Sequence, residues 1–104
     1  MILLNEKELK ILNFIQKGKN RIIIFLYLHD KMQTANDISK KSNIHLSSIC
    51  RTIKEMEKQG IILRIKFNNK GKDLYRLNSL NPSLEMIHII KEIAIDRGIE
   101  HNSY

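Results

Sequence analysis

Apolar residues along the first third of the chain recur at helical spacing. Leu9, Ile11, Leu12 and Ile15 form one broad stripe between Asn5 and Gly18. Asn5 followed by Glu8 has the form of a capping box, and Gly18 sits where a helix stops. A helix is therefore predicted over about 5–17. The next run, Ile22 to Leu28, is apolar all round. Its periodicity alone fits a buried strand as well as a buried helix. Its helical neighbours favour the helix, with Asn20 as the cap. Residues 31–33 can add a short strand.

From Thr34 the signals are denser. Thr34 and Asp37 form a second capping box, opening a short helix with Ala35, Ile38 and Ser39 inward. Lys40 and Lys41 suit the negative end of its dipole. Ser42-Asn43-Ile44 reads as a turn, with Asn43 where a left-handed residue is wanted and Ile44 plugging the corner. A further helix is expected from about Leu46 to Gln59, stopped by Gly60. Ile49, Ile53 and Met56 define its inner face; Ser47, Ser48, Arg51, Lys54 and Glu55 lie off it.

After Gly60 the period changes to two. Leu63, Ile65 and Phe67 point one way, Arg64 and Lys66 the other. Residues 68–72, Asn-Asn-Lys-Gly-Lys, make a hairpin loop. The return strand places Asp73, Tyr75 and Leu77 on one face, Leu74 and Arg76 on the other. Asn81-Pro82 reads as a cap and first-turn proline opening a last helix over about 82–97, which ends at Arg97-Gly98. Met86, Ile87, Ile89, Ile90, Ile93 and Ala94 form its apolar arc. That arc either packs on the first helix or pairs with a second copy. The element order is α-α-(β)-α-α-β-β-α, mainly helical with a small β-hairpin. Nothing divides residues 1–104 into more than one domain.

Charge adds a partner class. The chain has 104 residues and a net charge of +7. Residues 31–80 hold 11 Lys/Arg against 4 Asp/Glu, while residues 81–104 are net acidic. A basic centre with an acidic end suggests a polyanion met by one region, although an idle basic surface gives the same count. One cysteine excludes an intrachain disulfide framework. Met1 to Leu4 is too short an apolar run for a signal peptide or membrane span, which gives the expectation of a cytoplasmic protein and no membrane partner.

Residues 42–62, SNIHLSSICRTIKEMEKQGII, resemble the recognition-helix segment of winged helix-turn-helix transcriptional regulators, nearest to the ArsR-like and MarR-like groups. The likeness extends from about Arg21 through Leu77. His45 stands where serine or threonine is usual, and Leu46 where a small residue or proline is common. The resemblance implies a sequence-specific regulator of double-stranded DNA, a repressor by analogy, acting as a homodimer on a pseudo-palindromic site. Candidate DNA contacts are Thr34, Ser47, Ser48, Arg51, Lys54, Lys66, Lys70 and Lys72. Arg51 can hold guanine O6 and N7, or a phosphate, or stay solvated. Ser47 and Ser48 can approach DNA or cap the helix. His45 can cap, touch DNA, or do neither. Arg64 and Arg76 can simply cover the sheet's outer face. The terminal helices of such proteins commonly form the dimer interface, which here implies Met86, Ile87, Ile90, Ile93 and Ala94.

Other chemistry is poorly supported. There is no glycine-rich phosphate loop and no nucleophile with an identifiable base, so no enzyme, cofactor or small-molecule ligand is expected. Cys50 reads as a packing residue beside the core face. Glu85, His88 and Glu92 share one side of the last helix but read as solvated rather than as a metal site. The competing reading is a winged-helix protein–protein interaction module of a transcription or replication assembly.

Overall fold

The computed structural model describes residues 3–66, 72–78 and 81–99. Asn5 caps helix α1 (Glu6–Ile15): its side chain accepts from Glu8 N–H, and Glu8 answers to the Asn5 N–H. The second Glu8 oxygen accepts from the Ser83 N–H at 3.2 Å, which ties the start of α1 to the start of the last helix. Hydrogen bonding from Ser83, then Asn5, holds the Glu8 carboxyl below its ordinary range. Leu9 lies outside the inner stripe, exposed, while Leu12 and Ile15 are buried.

Helix α2 (Lys19–Asp30) settles the ambiguous apolar run. Ile22 to Leu28 are all buried, because α2 is enclosed by neighbours on every side. Asn20 is not its cap: the helix starts two residues earlier, with Gly18 at the N-cap in extended conformation. Strand β1 (Gln33–Thr34) follows. The buried Gln33 side chain is satisfied at both ends, donating to Tyr27 O at 2.7 Å and accepting from Lys41 Nζ at 3.1 Å.

Helices α3 (Ala35–Ser42) and α4 (Leu46–Lys58) make the helix-turn-helix. The Thr34–Asp37 capping box is present. Asn43 adopts φ 59°, ψ 29° between the helices, the left-handed conformation that asparagine tolerates. Ile38, Ile49, Ile53 and Met56 close the core beneath them. Gly60, at φ +74°, ends α4 in a Schellman turn: Gly60 N–H bonds Glu57 O and Ile61 N–H bonds Met56 O.

Strands β2 (Ile62–Lys66) and β3 (Asp73–Leu77) form the antiparallel hairpin, and β1 adds to β3, giving sheet order β1-β3-β2. The register pairs Ile62 with Leu77, Arg64 with Tyr75 and Lys66 with Asp73. Those six side chains share the face turned to the helices. Leu63, Ile65 and Arg76 lie on the opposite face, where Ile65 and Arg76 line a depression with Leu28, His29 and Met32. Phe67, expected at the end of the strand, and residues 68–71 of the expected loop, Lys70 included, lie outside the described residues.

Helix α5 (Leu84–Asp96) is capped by Ser83, not Asn81; Pro82 precedes the cap. Here the structure corrects a site. Met86, Ile87, Ile90 and Ala94 are buried within this chain, where α5 packs on α2 and α1. Ile93 is half-buried against the same core. Met86, Ile87, Ile90 and Ala94 are therefore spent on the chain's own interior, while Ile89 and Ile93 keep part of their surface exposed.

Candidate nucleic-acid interface

Helix α4 sorts its residues by charge as well as by polarity. Ile49, Ile53 and Met56 face the core. On the opposite side Ser47, Cys50, Arg51, Lys54 and Lys58 line up, all exposed. Lys58, unlike the others, sits in the last turn, where it also suits the helix dipole. It belongs to this face through its spacing of four from Lys54, a signal present in the sequence but not used there. Cys50 is exposed within the row rather than packed, which corrects the reading of it as a packing residue.

The acids of α4 are turned aside and occupied. Glu55 pairs with Arg21, whose guanidinium also stacks 4.1 Å from the Phe14 ring centre and donates to Phe14 O. Glu57 pairs with Arg64 at 3.0 Å. Arg51, Lys54 and Lys58 have no ion-pair partner among the described residues. The helix thus neutralises its anions inside the fold and leaves its cations toward solvent.

Two neighbouring elements extend this face. A shallow depression beside α4 is lined by Thr34, Ala35, Asn36, Leu46, Cys50, Lys72, Asp73 and Tyr75. It brings Thr34, at the start of α3, and Lys72, at the loop end of the hairpin, next to the first half of α4. Thr34 Oγ1 is engaged in its cap, accepting from Asp37 N–H at 3.1 Å. Burial works against the Asp37 carboxylate, but hydrogen bonds from Thr34 and nearby Lys41 and Lys40 hold it below its ordinary range. Lys66 and Lys72 are exposed at the two inner ends of the hairpin. Ser48 is half-buried, and its carbonyl accepts from Thr52 Oγ1 at 2.9 Å.

Arg64 does not cover the outer sheet face. It lies on the helix-facing side, where it bonds Glu57 and Asp73 and sits 5.6 Å from the Tyr75 ring centre. Burial pushes the Tyr75 phenol above its ordinary value against the pull of Arg64. At the tip of α4, His45 is the N-cap, accepting from Ser47 N–H. Leu46 beside it remains 37% exposed, an apolar group of the kind that meets thymine methyls.

Elsewhere, His88 and Glu92 form a solvent-exposed pair at 3.2 Å on α5. No helix of the described residues is long and apolar enough to cross a membrane.

No family model matches the chain, and no curated protein matches it in sequence. Solved structures match it in fold. HlyU from Vibrio cholerae N16961 superposes with TM-score 0.63 at 16% identity, covering 90% of this chain and 96% of that one. The adhesin competence repressor AdcR from Streptococcus pyogenes gives TM-score 0.63 at 16% identity over 89% of this chain and 76% of that one. A Lactococcus lactis ZitR mutant gives TM-score 0.56 at 18% identity, over 78% of this chain but only 53% of that one, so this chain spans about half of that structure. The chain shares the winged-helix fold of these structures, with five helices and a three-stranded antiparallel sheet among the described residues.

Proposed function

We propose that the chain is a sequence-specific double-stranded DNA-binding transcriptional regulator that lays α4 in the major groove. The observation that carries this is the separation of charge on α4. Its carboxylates are paired with Arg21 and Arg64, while Arg51, Lys54 and Lys58 stand unpaired on one exposed face with Ser47 and Cys50. Such a run of cations beside short polar groups suits a groove that phosphates flank on both sides. Lys66 and Lys72, with Lys70 between them in sequence, supply backbone contacts from the hairpin. Thr34 and Ser48 contribute at the helix starts. AdcR, similar in fold, is described as a repressor, and a HlyU protein from Vibrio vulnificus as a transcriptional regulator. Repression is the regulatory sense proposed here.

The homodimer belongs to the same proposal, through a different surface from the arc buried in the core. Leu84 is 84% exposed and Ile95 74% exposed. They lie 11 positions apart, which brings them within about 20° of one another around α5. An antiparallel pairing of two α5 helices sets Leu84 of one copy against Ile95 of the other. Two recognition helices related by that two-fold would read half-sites about 34 Å apart on a pseudo-palindrome.

Selection from a random duplex library with the purified chain tests the reading. An enriched palindrome supports it. An absence of enrichment at low salt contradicts it and favours the protein-interaction alternative.

A further inference from the structure

A recess of about 490 Å³ lies against the hairpin, on the face opposite to the one that meets α4. Buried Leu28 and Leu77 form its floor, and Met32, Ile65 and Pro82 its walls. Met32 and Ile65 are exposed, so two large apolar side chains meet solvent beside a buried floor. The size falls in the range of small-molecule sites, roughly 300–1,000 Å³. Nothing in the sequence points to this recess, because residues 28–32, 65, 76–77 and 82 come together only through the fold.

Two polar side chains line this apolar setting, Arg76 from the hairpin and His29 from the end of α2. Arg76 is half-buried and has no ion-pair or hydrogen-bond partner among the described residues. Arg21 and Arg64, by contrast, hold Glu55, Glu57 and Asp73. Burial, then the charge on Lys91, holds the His29 ring below its ordinary value against the pull of Asp30. At neutral pH the ring is thus uncharged and carries one N–H donor. The recess combines apolar walls with one fixed, uncompensated cation and one neutral donor.

We propose that this recess binds a small organic anion made of an apolar body and one carboxylate. The apolar body covers Met32, Ile65 and Pro82. The carboxylate accepts from the guanidinium fork of Arg76, a geometry that suits two parallel hydrogen bonds. His29 donates to the same group. A neutral ligand leaves Arg76 uncompensated, and a cation meets the charges of Arg76 and Lys91. Nucleic-acid phosphates gain nothing from the apolar walls. The end of α2, the hairpin and the approach to α5 enclose the recess on three sides, which suits a compact ligand better than a second protein surface. The site is separate from the cationic face of α4 and stands whether or not the chain binds DNA.

The test titrates octanoate and naphthoate into the full chain, each beside its uncharged counterpart, octanol or naphthalenemethanol, and follows amide signals by NMR. Both carboxylates should saturate shifts at residues 28–32, 65, 76 and 77. They should bind roughly tenfold tighter than the alcohols, the usual advantage of a charge-assisted contact. Arg76→Gln should remove that advantage and leave alcohol binding unchanged. Met32→Glu, at an exposed position, should repel both carboxylates, and its melting temperature checks that the fold is kept. Undiminished carboxylate binding by either variant overturns the proposal. Equal affinity for acid and alcohol also overturns it, because that marks an apolar depression alone. Shifts centred elsewhere, or no saturable binding of either carboxylate, do the same. Shifts at these residues on concentrating the protein without ligand give the recess to a second copy and overturn it as well.

Discussion

Arg64 Nη2 lies 3.0 Å from Glu57 Oε1, so a residue of the hairpin grips the second half of α4. The same guanidinium reaches Asp73 on the return strand at 3.4 Å. Strands β2 and β3 and helix α4 are thereby pinned at one point between the exposed cations of α4 and those of the hairpin. The pairs are about one-third exposed, so their contribution to stability is small, on the order of 0–1 kcal/mol. Their effect should appear in binding. Arg64→Gln should weaken DNA affinity while melting changes little. Combined with Lys72→Gln, it should give less than the sum of the two losses in a double-mutant cycle. Full additivity would separate the pin from the hairpin's contacts.

Arg51 projects from the middle of the exposed face of α4. Arg51→Ala should cost about 1–3 kcal/mol on the selected site if the guanidinium reads a base. Titrations on selected and random duplexes compare the two. Equal losses on both would make Arg51 a phosphate contact.

Lys66 and Lys72 should each carry one phosphate. Replacing either with glutamine should reduce the slope of log affinity against log salt by about one unit. A slope that stays constant in both variants takes the hairpin out of the interface.

The two faces of α5 should respond differently to charge. Ile90 is 1% exposed, so Ile90→Ala should destabilise the chain by roughly 2–5 kcal/mol through the cavity it leaves. Leu84→Glu and Ile95→Glu should leave the melting of the monomer almost unchanged. In sedimentation they should convert a dimer to monomers. A dimer that survives both changes puts the two-fold contact elsewhere.

Acid should reveal the Glu8 clamp. Its carboxyl is held below the ordinary glutamate range by hydrogen bonds from Ser83 and Asn5. A depressed folded-state pKa means that the stabilisation is present above the unfolded value and is lost as pH falls through the folded one. Wild type should therefore melt above Glu8→Gln at neutral pH, and the gap should close once pH drops below the usual glutamate range. A gap independent of pH would show that the ionised form is not what holds α1 to α5.

The helix-turn-helix segment was legible in the sequence because its signals are local. The Thr34–Asp37 box, the left-handed Asn43, the spacing of Ile49, Ile53 and Met56, and the stop at Gly60 each depend on neighbours a few residues away. What escaped was decided by distant contacts. The apolar arc of α5 fitted packing on the first helix as well as pairing with a second copy, and the contacts with α2 and α1 decided between them. The roles of Arg21 and Arg64 depend on Glu55 and Glu57 meeting them across the fold. Asn20 and Asn81 were plausible caps by residue type, but Gly18 and Ser83 hold those positions. Cys50 was misjudged because its place beside Ile49 hides that one helical step turns it outward.

Cys50 offers the most direct measurement. Its thiol is exposed in the row between Ser47 and Lys54, so a groove that receives α4 must cover it. The rate of Cys50 alkylation by a maleimide should fall in proportion to the fraction of protein bound to its selected duplex, and protein alkylated beforehand should fail to bind. Alkylation at an undiminished rate on saturating DNA, or full binding by the alkylated protein, would contradict docking through α4.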